Sequence, residues 1–261
     1  MNGVIDLNAD IGESYGLMKS GKDELISPHV TSVNIATGFH SGDPDSIRNT
    51  VDLALQNNNS IGAHPSFPDL QGFGRRFMEM SKISINNIMT YQIGALSGFL
   101  QDKTHVQGSR ISHVKPHGAL YNAAAKDIKI AEPIFDSISS FDQEVIHVVL
   151  ANSVWEDFVK SKNVRFAREG FADRAYRDDG QLVSRDISGS VLKNHDEILE
   201  RVISMALKGK VKTIEGKEIN LQIDTICLHG DNEESVELAK AIKEELIRMG
   251  CEVKKMTSFI D

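Results

Sequence analysis

The chain has 261 residues, 40% of them apolar and 25% charged, with a formal net charge of −8 and a pI near 5.6. Such a length makes one large α/β domain or two small ones, and the composition is ordinary for a globular protein in water. The acidic balance argues against a nucleic-acid or anionic-membrane partner, because either needs a concentrated basic surface.

Cys227 and Cys251 are the only cysteines. Two in a chain this long suggest neither a disulfide framework nor a metal-type pair. Met1-Asn2-Gly3 runs straight into an apolar stretch, so no signal peptide is expected. No apolar run approaches the roughly 20 residues that span a bilayer. The expected compartment is the cytoplasm.

The first predicted strand covers residues 4–10 and carries Asp6, Asn8 and Asp10, with Glu13 just beyond. A helical piece follows near Lys22–Ser27, ended by Pro28. Strand two, Ser32–Thr37, ends in Gly38-Phe39-His40-Ser41-Gly42. Asp43 is a good N-cap with Pro44 at the first helical position, and Ile47, Val51, Ala54 and Leu55 give that helix one apolar face as far as Asn58. Strand three, Ser60–Ala63, ends in His64-Pro65, and a long loop follows with Gly72-Phe73-Gly74-Arg75-Arg76. A helix is predicted over Ile85–Gln101, then strand four over Arg110–Val114, ending in Lys115-Pro116-His117-Gly118. Helical pieces fill 119–139, with a break or start near Pro133.

Strand five, Val145–Leu150, is the most β-rich run, and a helix over Val154–Lys160 follows it. Strand six, Val164–Arg168, leads into Glu169-Gly170-Phe171-Ala172-Asp173-Arg174. A second long loop spans 174–193. Next come a helix over 195–207, a charged turn or hairpin over 208–222, and strand seven, Asp224–Leu228, ending in His229-Gly230-Asp231. A last helix over 233–248 has Val236, Ala239, Ile242 and Leu246 inward, and a short strand over Glu252–Met256 closes the series.

Seven β-then-α units with short apolar strands predict a parallel sheet covered by helices. With no linker or composition shift, the expectation is a single domain over 1–261, a closed or nearly closed seven-stranded β/α barrel. In such barrels functional side chains sit at the C-terminal ends of strands. Here those ends carry Asn8 and Asp10, His40, His64, Lys115 and His117, Glu169, and His229 with Asp231. Asp6, Asn8 and Asp10 alternate along one strand face. They suit a general base, a hard cation or ligand hydroxyls. The histidines suit a metal ion or acid–base work, with Asp10, His40 and His64 the candidate metal ligands. No His-Glu-x-x-His or cysteine cluster is present, so any ligands come from different strands. Lys115 is placed for a substrate carboxylate, a phosphate or a developing oxyanion. Arg75, Arg76, Arg174 and Arg185 lie in the long loops and offer a bidentate anion clamp. Gly16-Leu17-Met18-Lys19-Ser20-Gly21-Lys22-Asp23 nearly matches a phosphate-binding loop, but Asp23 stands where a Ser or Thr belongs and would oppose the phosphates. Cys227 reads as a small core residue rather than a nucleophile.

The segments DLNADIGE, NIATGFHSGDP, IGAHPSFPDLQGFGRR, VKPHGALYN, REGFADRAYRDDGQLVSR and CLHGD, spread in order over residues 6 to 231, resemble the LamB/YcsF lactam-utilisation family, known as the A subunits of 5-oxoprolinase. The resemblance implies a distorted TIM-like barrel of the glycoside hydrolase/deacetylase type. It implies ATP-dependent opening of 5-oxoproline to glutamate, with Mg2+ accompanying ATP, and with two companion subunits, B and C. A further divalent metal and a homo-oligomer are compatible with it. The sequence departs from the family where Ala9 and Thr37 replace usual cysteines, which weakens any thiol-based mechanism. Under this reading Asp10, His64, Lys115, His117 and His229 carry the chemistry. Asn8, Glu13, His40, Arg75, Glu169, Asp173, Arg174 and Asp231 bind substrate or nucleotide. Two other readings stay open: a metal-dependent deacetylase or amidohydrolase that needs no ATP, and a non-catalytic lactam- or carbohydrate-binding subunit.

Overall fold

A computed structural model describes residues 3–101, 106, 108–228, 230 and 232–261. Strand β1 (Val4–Ile11) is followed by the one-turn helix α1 (Asp23–Ile26), β2 (Ser32–Ala36) and α2 (Pro44–Gln56). Then come β3 (Ser60–His64), α3 (Lys82–Gln101), β4 (Ile111–Val114), α4 (Gly118–Ala124), α5 (Ile128–Phe141), β5 (Ile146–Leu150), α6 (Val154–Lys160) and β6 (Phe166–Phe171). After the long connection, α7 (His195–Ile203) runs into a π-helical turn and the hairpin of β7 (Lys210–Lys212) and β8 (Glu218–Asn220). Strand β9 (Thr225–Leu228), α8 (Glu233–Arg248) and β10 (Glu252–Val253) complete the order.

Strands β1 to β6 pair in sequence order, β6 pairs with β9, and β9 pairs back with β1, all in parallel. This is the closed seven-stranded β/α barrel expected from the alternation of strands and helices. No helix among the described residues is long and apolar enough to cross a membrane. Asp43 caps α2 as its sequence predicts, accepting from the Asp45 and Ser46 N–H groups, and the inner stripe of α8 is the predicted set of Val236, Ala239, Ile242 and Leu246.

Among the boundaries that differ from the sequence reading, three have a plain physical reason. The expected break near Pro133 falls instead at 125–127, where Asp127 caps α5 by accepting from Lys129 N–H. Pro133 sits inside α5, and Lys129, whose carbonyl loses its helical donor there, is exposed to water. Strand β6 runs on through Phe171, because Glu169 pairs with Thr225 and Phe171 with Cys227 in the ladder to β9. The last strand stops at Val253, because the Met256 N–H turns away from the sheet and donates to Asp6 Oδ1 at 3.1 Å.

The barrel interior is unusually polar at one end. Along β1, Asp6, Asn8 and Asp10 face inward, and their neighbours in register are Ser32 and Asn34 on β2 and Thr225 and Cys227 on β9. Asp6 ties the base together. Its carboxylate accepts from Thr31 Oγ1 at 2.7 Å, Ser32 Oγ at 2.5 Å, Thr225 Oγ1 at 2.6 Å and the Met256 amide. Beside it, Ile146, Val148, Ala167 and Met256 form a small apolar plug, covered by Phe259 and Ile260. A β-bulge shifts the register of β3 against β4 between Ile61 and Gly62. A Cβ at Gly62 would come within 2.2 Å of His113 Nε2, so the glycine is what admits that imidazole to the interior.

Two outcomes are expected from these contacts. Asp6→Ala removes the common acceptor of four donors, from the starts of two strands and the C-terminal segment; it should cost about 3 kcal/mol in urea unfolding, and Asp6→Asn about half of that. An Asp6→Ala loss below about 0.5 kcal/mol would show that the hydroxyls re-pair without it. The second outcome concerns Asp23, which accepts the Gly12 N–H at 2.8 Å and is pushed up from 3.8 to about 6 by burial, with Glu13 and Glu24 adding repulsion. The folded chain thus holds this proton more tightly than the unfolded one. The stability contribution falls as pH rises from about 4 to about 6 and stays lower above that window. Asp23→Asn keeps an acceptor without the titration. Its gain over wild type, read from urea midpoints, should reach as much as about 3 kcal/mol near pH 7.5 and nearly vanish near pH 4. A gain independent of pH would contradict the assignment.

Candidate active site

At the C-terminal ends of the strands the polar interior opens into a cavity of about 300 Å³. Its floor is organised by Lys115, directly after β4 and only 2% exposed. The ammonium donates to Asp10 Oδ1 at 2.9 Å, Asn8 Oδ1 at 3.3 Å and Cys227 Sγ at 3.1 Å, and lies 2.8 Å from Glu169 Oε1. Burial alone would lower this lysine, yet the carboxylates of Asp10 and Glu169 hold it well above the usual range, so it is charged. Burial pushes the Cys227 thiol well up, which keeps it protonated and unreactive. The carboxylates are held in turn. Asn8 Nδ2 donates to Glu169 Oε1 at 3.1 Å and to Thr225 Oγ1 at 2.7 Å. Asn34 Nδ2 donates to Asn8 Oδ1 and Asp10 Oδ1, each at 2.8 Å, and its own oxygen lies 2.9 Å from His113 Nε2. Burial, helped by Lys115, pushes His113 down to about 3, so its ring is neutral and Nε2–H donates to Asn34.

Above this floor stand three buried imidazoles and one carboxylate from four different loops. His64 ends β3, His117 precedes α4, His40 lies in the glycine-flanked loop after β2, and Glu13 follows β1. His64 Nδ1 lies 2.7 Å from the Lys115 carbonyl, and His117 Nε2 lies 2.9 Å from the Phe73 carbonyl. A carbonyl only accepts, so each of these nitrogens carries a proton and donates it. The opposite nitrogens, His64 Nε2 and His117 Nδ1, face each other at 2.9 Å. His40 stacks on His117 with centroids 3.8 Å apart. Its Nε2 is 3.4 Å from Glu13 Oε1, and His117 Nδ1 is 3.6 Å from the same oxygen. His64 Nε2 is 3.4 Å from Asp10 Oδ2. Burial first, then neighbouring imidazoles, hold His40 and His117 well below the ordinary histidine range, so both are neutral. The donor atoms of Glu13, His40, His64 and His117 all lie within 4.8 Å of one another, an arrangement able to hold a cation.

The loop after β3 fixes this group. Phe73 and Gly74 both take left-handed backbone, with φ of 54° and 63°. A Cβ at Gly74 would meet His117 Cδ2 at 2.8 Å and His40 Cβ at 2.9 Å. The Gly74 carbonyl accepts from Ala119 N–H at 2.9 Å, which pins the loop to the start of α4.

The structure brings Asn8, Asp10, Glu13, His40, His64, Lys115, His117 and Glu169 into one connected group. Arg75 and Arg174 line the cavity. Arg174 donates to the Val183 carbonyl at 2.6 Å, and burial, with Arg185 nearby, lowers it to about 10. Asp173 lines a neighbouring cavity instead, beside His195 and Asn232. Arg76 leaves the site to pair with Asp69, its Nε donating at 2.9 Å. His229 and Asp231 lie outside the described residues. The sequence reading passed over Asn34, His113 and Tyr121, and over Lys126 on the rim. Asn34 stands two residues after Ser32 and His113 two before Lys115, so period-two alternation from polar strand positions carried the signal for both. Cys227, expected as core, is buried but touches the lysine.

Comparison with known proteins finds relatives along nearly the whole chain. Residues 5–261 match the model of the LamB/YcsF family. The chain is 47% identical over 256 residues to the A subunit of a 5-oxoprolinase from Campylobacter jejuni, covering 98% of this chain and 99% of that one. The corresponding A subunit from Pyrococcus furiosus is 46% identical over the same lengths. The crystal structure of a lactam utilization protein from Thermus thermophilus superposes with a TM-score of 0.89 at 42% identity, covering 96% of this chain and 99% of that one. The chain belongs to the LamB/YcsF family.

Proposed function

We propose that this chain is the lactam-handling component of an ATP-dependent 5-oxoprolinase, opening 5-oxoproline to L-glutamate together with two companion subunits, B and C. What carries the reading is the match, along almost the whole of both chains, to relatives named as the A subunits of 5-oxoprolinases. The cavity supports it chemically, since a cationic rim of Arg75, Lys126, Arg174 and Arg185 surrounds a floor with a charged lysine, carboxylates and imidazoles.

A five-membered lactam is a poor electrophile, and its hydrolysis is uphill. ATP, bound with Mg2+ through phosphate and carboxylate oxygens, solves both problems by phosphorylating the amide oxygen. Water then adds to the activated carbon, the C–N bond breaks, and the ring nitrogen takes a proton. The resulting acyl phosphate is cleaved by a second water to glutamate and phosphate. In this scheme the rim arginines hold the substrate carboxylate. Lys115 meets negative charge as it develops on the amide oxygen. Asp10, fixed by Lys115 and Asn34 and 3.4 Å from His64, orients and deprotonates water. Having taken a proton from that water, Asp10 returns it to the ring nitrogen as the C–N bond breaks.

The test is glutamate formation from 5-oxoproline, with and without ATP and with and without the companion subunits. We expect formation only when all are present. Asp10→Asn, which keeps the size and an acceptor for Lys115, should lower the rate at least about 100-fold with the near-UV spectrum unchanged. Arg174→Gln should act mainly by raising KM about 10-fold. Glutamate formed at full rate without ATP would replace this reading with an ATP-independent amidohydrolase. No glutamate with every component present would overturn it.

A further inference from the structure

We propose that Glu13, His40, His64 and His117 form a site for one divalent transition-metal ion, Zn2+ being the reference ion, separate from the Mg2+ that accompanies ATP. The observation behind it is a set of buried atoms whose hydrogen-bonding needs only a shared centre can meet. His64 Nε2 and His117 Nδ1 face each other at 2.9 Å, while the opposite nitrogen of each ring is already engaged by the Lys115 or Phe73 carbonyl. Two ring nitrogens this close need a proton or a metal ion between them. Among the described residues, both ring nitrogens of His40 and Glu13 Oε1 are buried with no hydrogen-bond partner. Leaving such groups unsatisfied costs about 1–3 kcal/mol each, so their accumulation at one spot needs a cause.

A proton shared between His64 and His117 would answer the first observation only. It leaves His40 and the buried Glu13 oxygen as they are. An ion at the common centre takes the facing nitrogens of His64 and His117, the Glu13 oxygen and one nitrogen of His40 together. The short separations, 2.9, 3.4 and 3.6 Å, bracket the spacing of about 3.3 Å between ligand atoms around a four-coordinate Zn2+ with bonds near 2.1 Å. The widest spacing, within 4.8 Å, closes by small side-chain shifts. Three imidazoles and one carboxylate select a borderline first-row ion over the all-oxygen preference of Mg2+ or Ca2+. The two carbonyls serve as the outer partners that orient ligating histidines. Asp10, a ligand candidate from sequence, is drawn instead to Lys115 and Asn34, while Glu13 and His117 take ligand positions. An ion here would polarise a carbonyl at the cavity floor, a role that rests on the lactam reading; the site itself does not.

The test uses the full chain, stripped with a chelator and titrated with Zn2+ by calorimetry, then dialysed and assayed by mass spectrometry for bound metal. About one ion per chain is expected, with a Kd below about 1 μM. Co2+ in its place should give visible d–d absorption shaped by nitrogen ligands, a readout that needs no variant and no activity. His117→Ala and Glu13→Gln should each weaken Zn2+ at least about 10-fold, and His195→Ala, at the exposed start of α7, should leave it unchanged. Substoichiometric Zn2+ together with no Co2+ spectrum overturns the site. So does a 15N spectrum showing one imidazolium shared by His64 and His117 in the metal-free chain with no change on adding Zn2+. Stoichiometric Zn2+ in a chain that forms no glutamate even with ATP and both companion subunits keeps the site and removes the lactam reading.

Discussion

Everything in the barrel mouth depends on a single buried ammonium. Lys115 sits at 2% exposure with Asp10 at 2.9 Å and Glu169 at 2.8 Å. A charge so placed loses most of its hydration, and it persists only where fixed oxygens replace that water. Satisfying it sets the identities around it: an asparagine on β1 that bridges to Glu169, another on β2 that holds both Asn8 and Asp10, and a neutral histidine on β4 behind them. Remove the lysine and two carboxylates face each other in a dry interior. The whole floor is therefore one electrostatic unit, and it is rigid before any ligand arrives.

The barrel divides its interior by depth. At the base, Asp6 gathers hydroxyls from the starts of two strands and one amide of the C-terminal segment, beside an apolar plug contributed largely by β5 and β6. At the mouth, carboxylates, imidazoles and arginines converge. The same alternation along β1 supplies both, with Asp6 serving closure and Asp10 serving the site. A structural and a chemical carboxylate thus lie four residues apart on one strand, distinguished only by what their neighbours in register offer.

Much of this was legible in the sequence, for reasons that differ from element to element. The strands and helices announce themselves by period and by caps such as Asp43-Pro44. The clustering of His40, His64, Lys115 and His117 followed from their common position just after strands. What was hidden depends on register. His113 looks like one more strand residue until the bulge at Gly62 admits its ring to the interior. That Lys115 and Asn34 both hold Asp10 Oδ1 likewise depends on register, which the pattern of residues along one strand does not carry. Pro133 misled because the rule against proline in helices assumes a buried carbonyl one turn earlier, and here that carbonyl belongs to an exposed lysine. The protonation pattern of the imidazoles was beyond any one-dimensional reading, since main-chain oxygens far away in sequence decide it.

That last point separates importance from mutability. The atom that determines which nitrogen of His117 is free is the carbonyl of Phe73, and every amino acid carries a carbonyl. Exchanging the aromatic ring at 73 leaves the acceptor in being, whereas a bulkier residue at Gly74, where no side chain fits between His40 and His117, displaces it. A substitution scan of this loop would record position 74 as intolerant, and at position 73 would read only the ring, edge-on to His40 and His117, and never the carbonyl. The chemistry it protects belongs to a peptide bond between them, a part of the protein that no codon specifies.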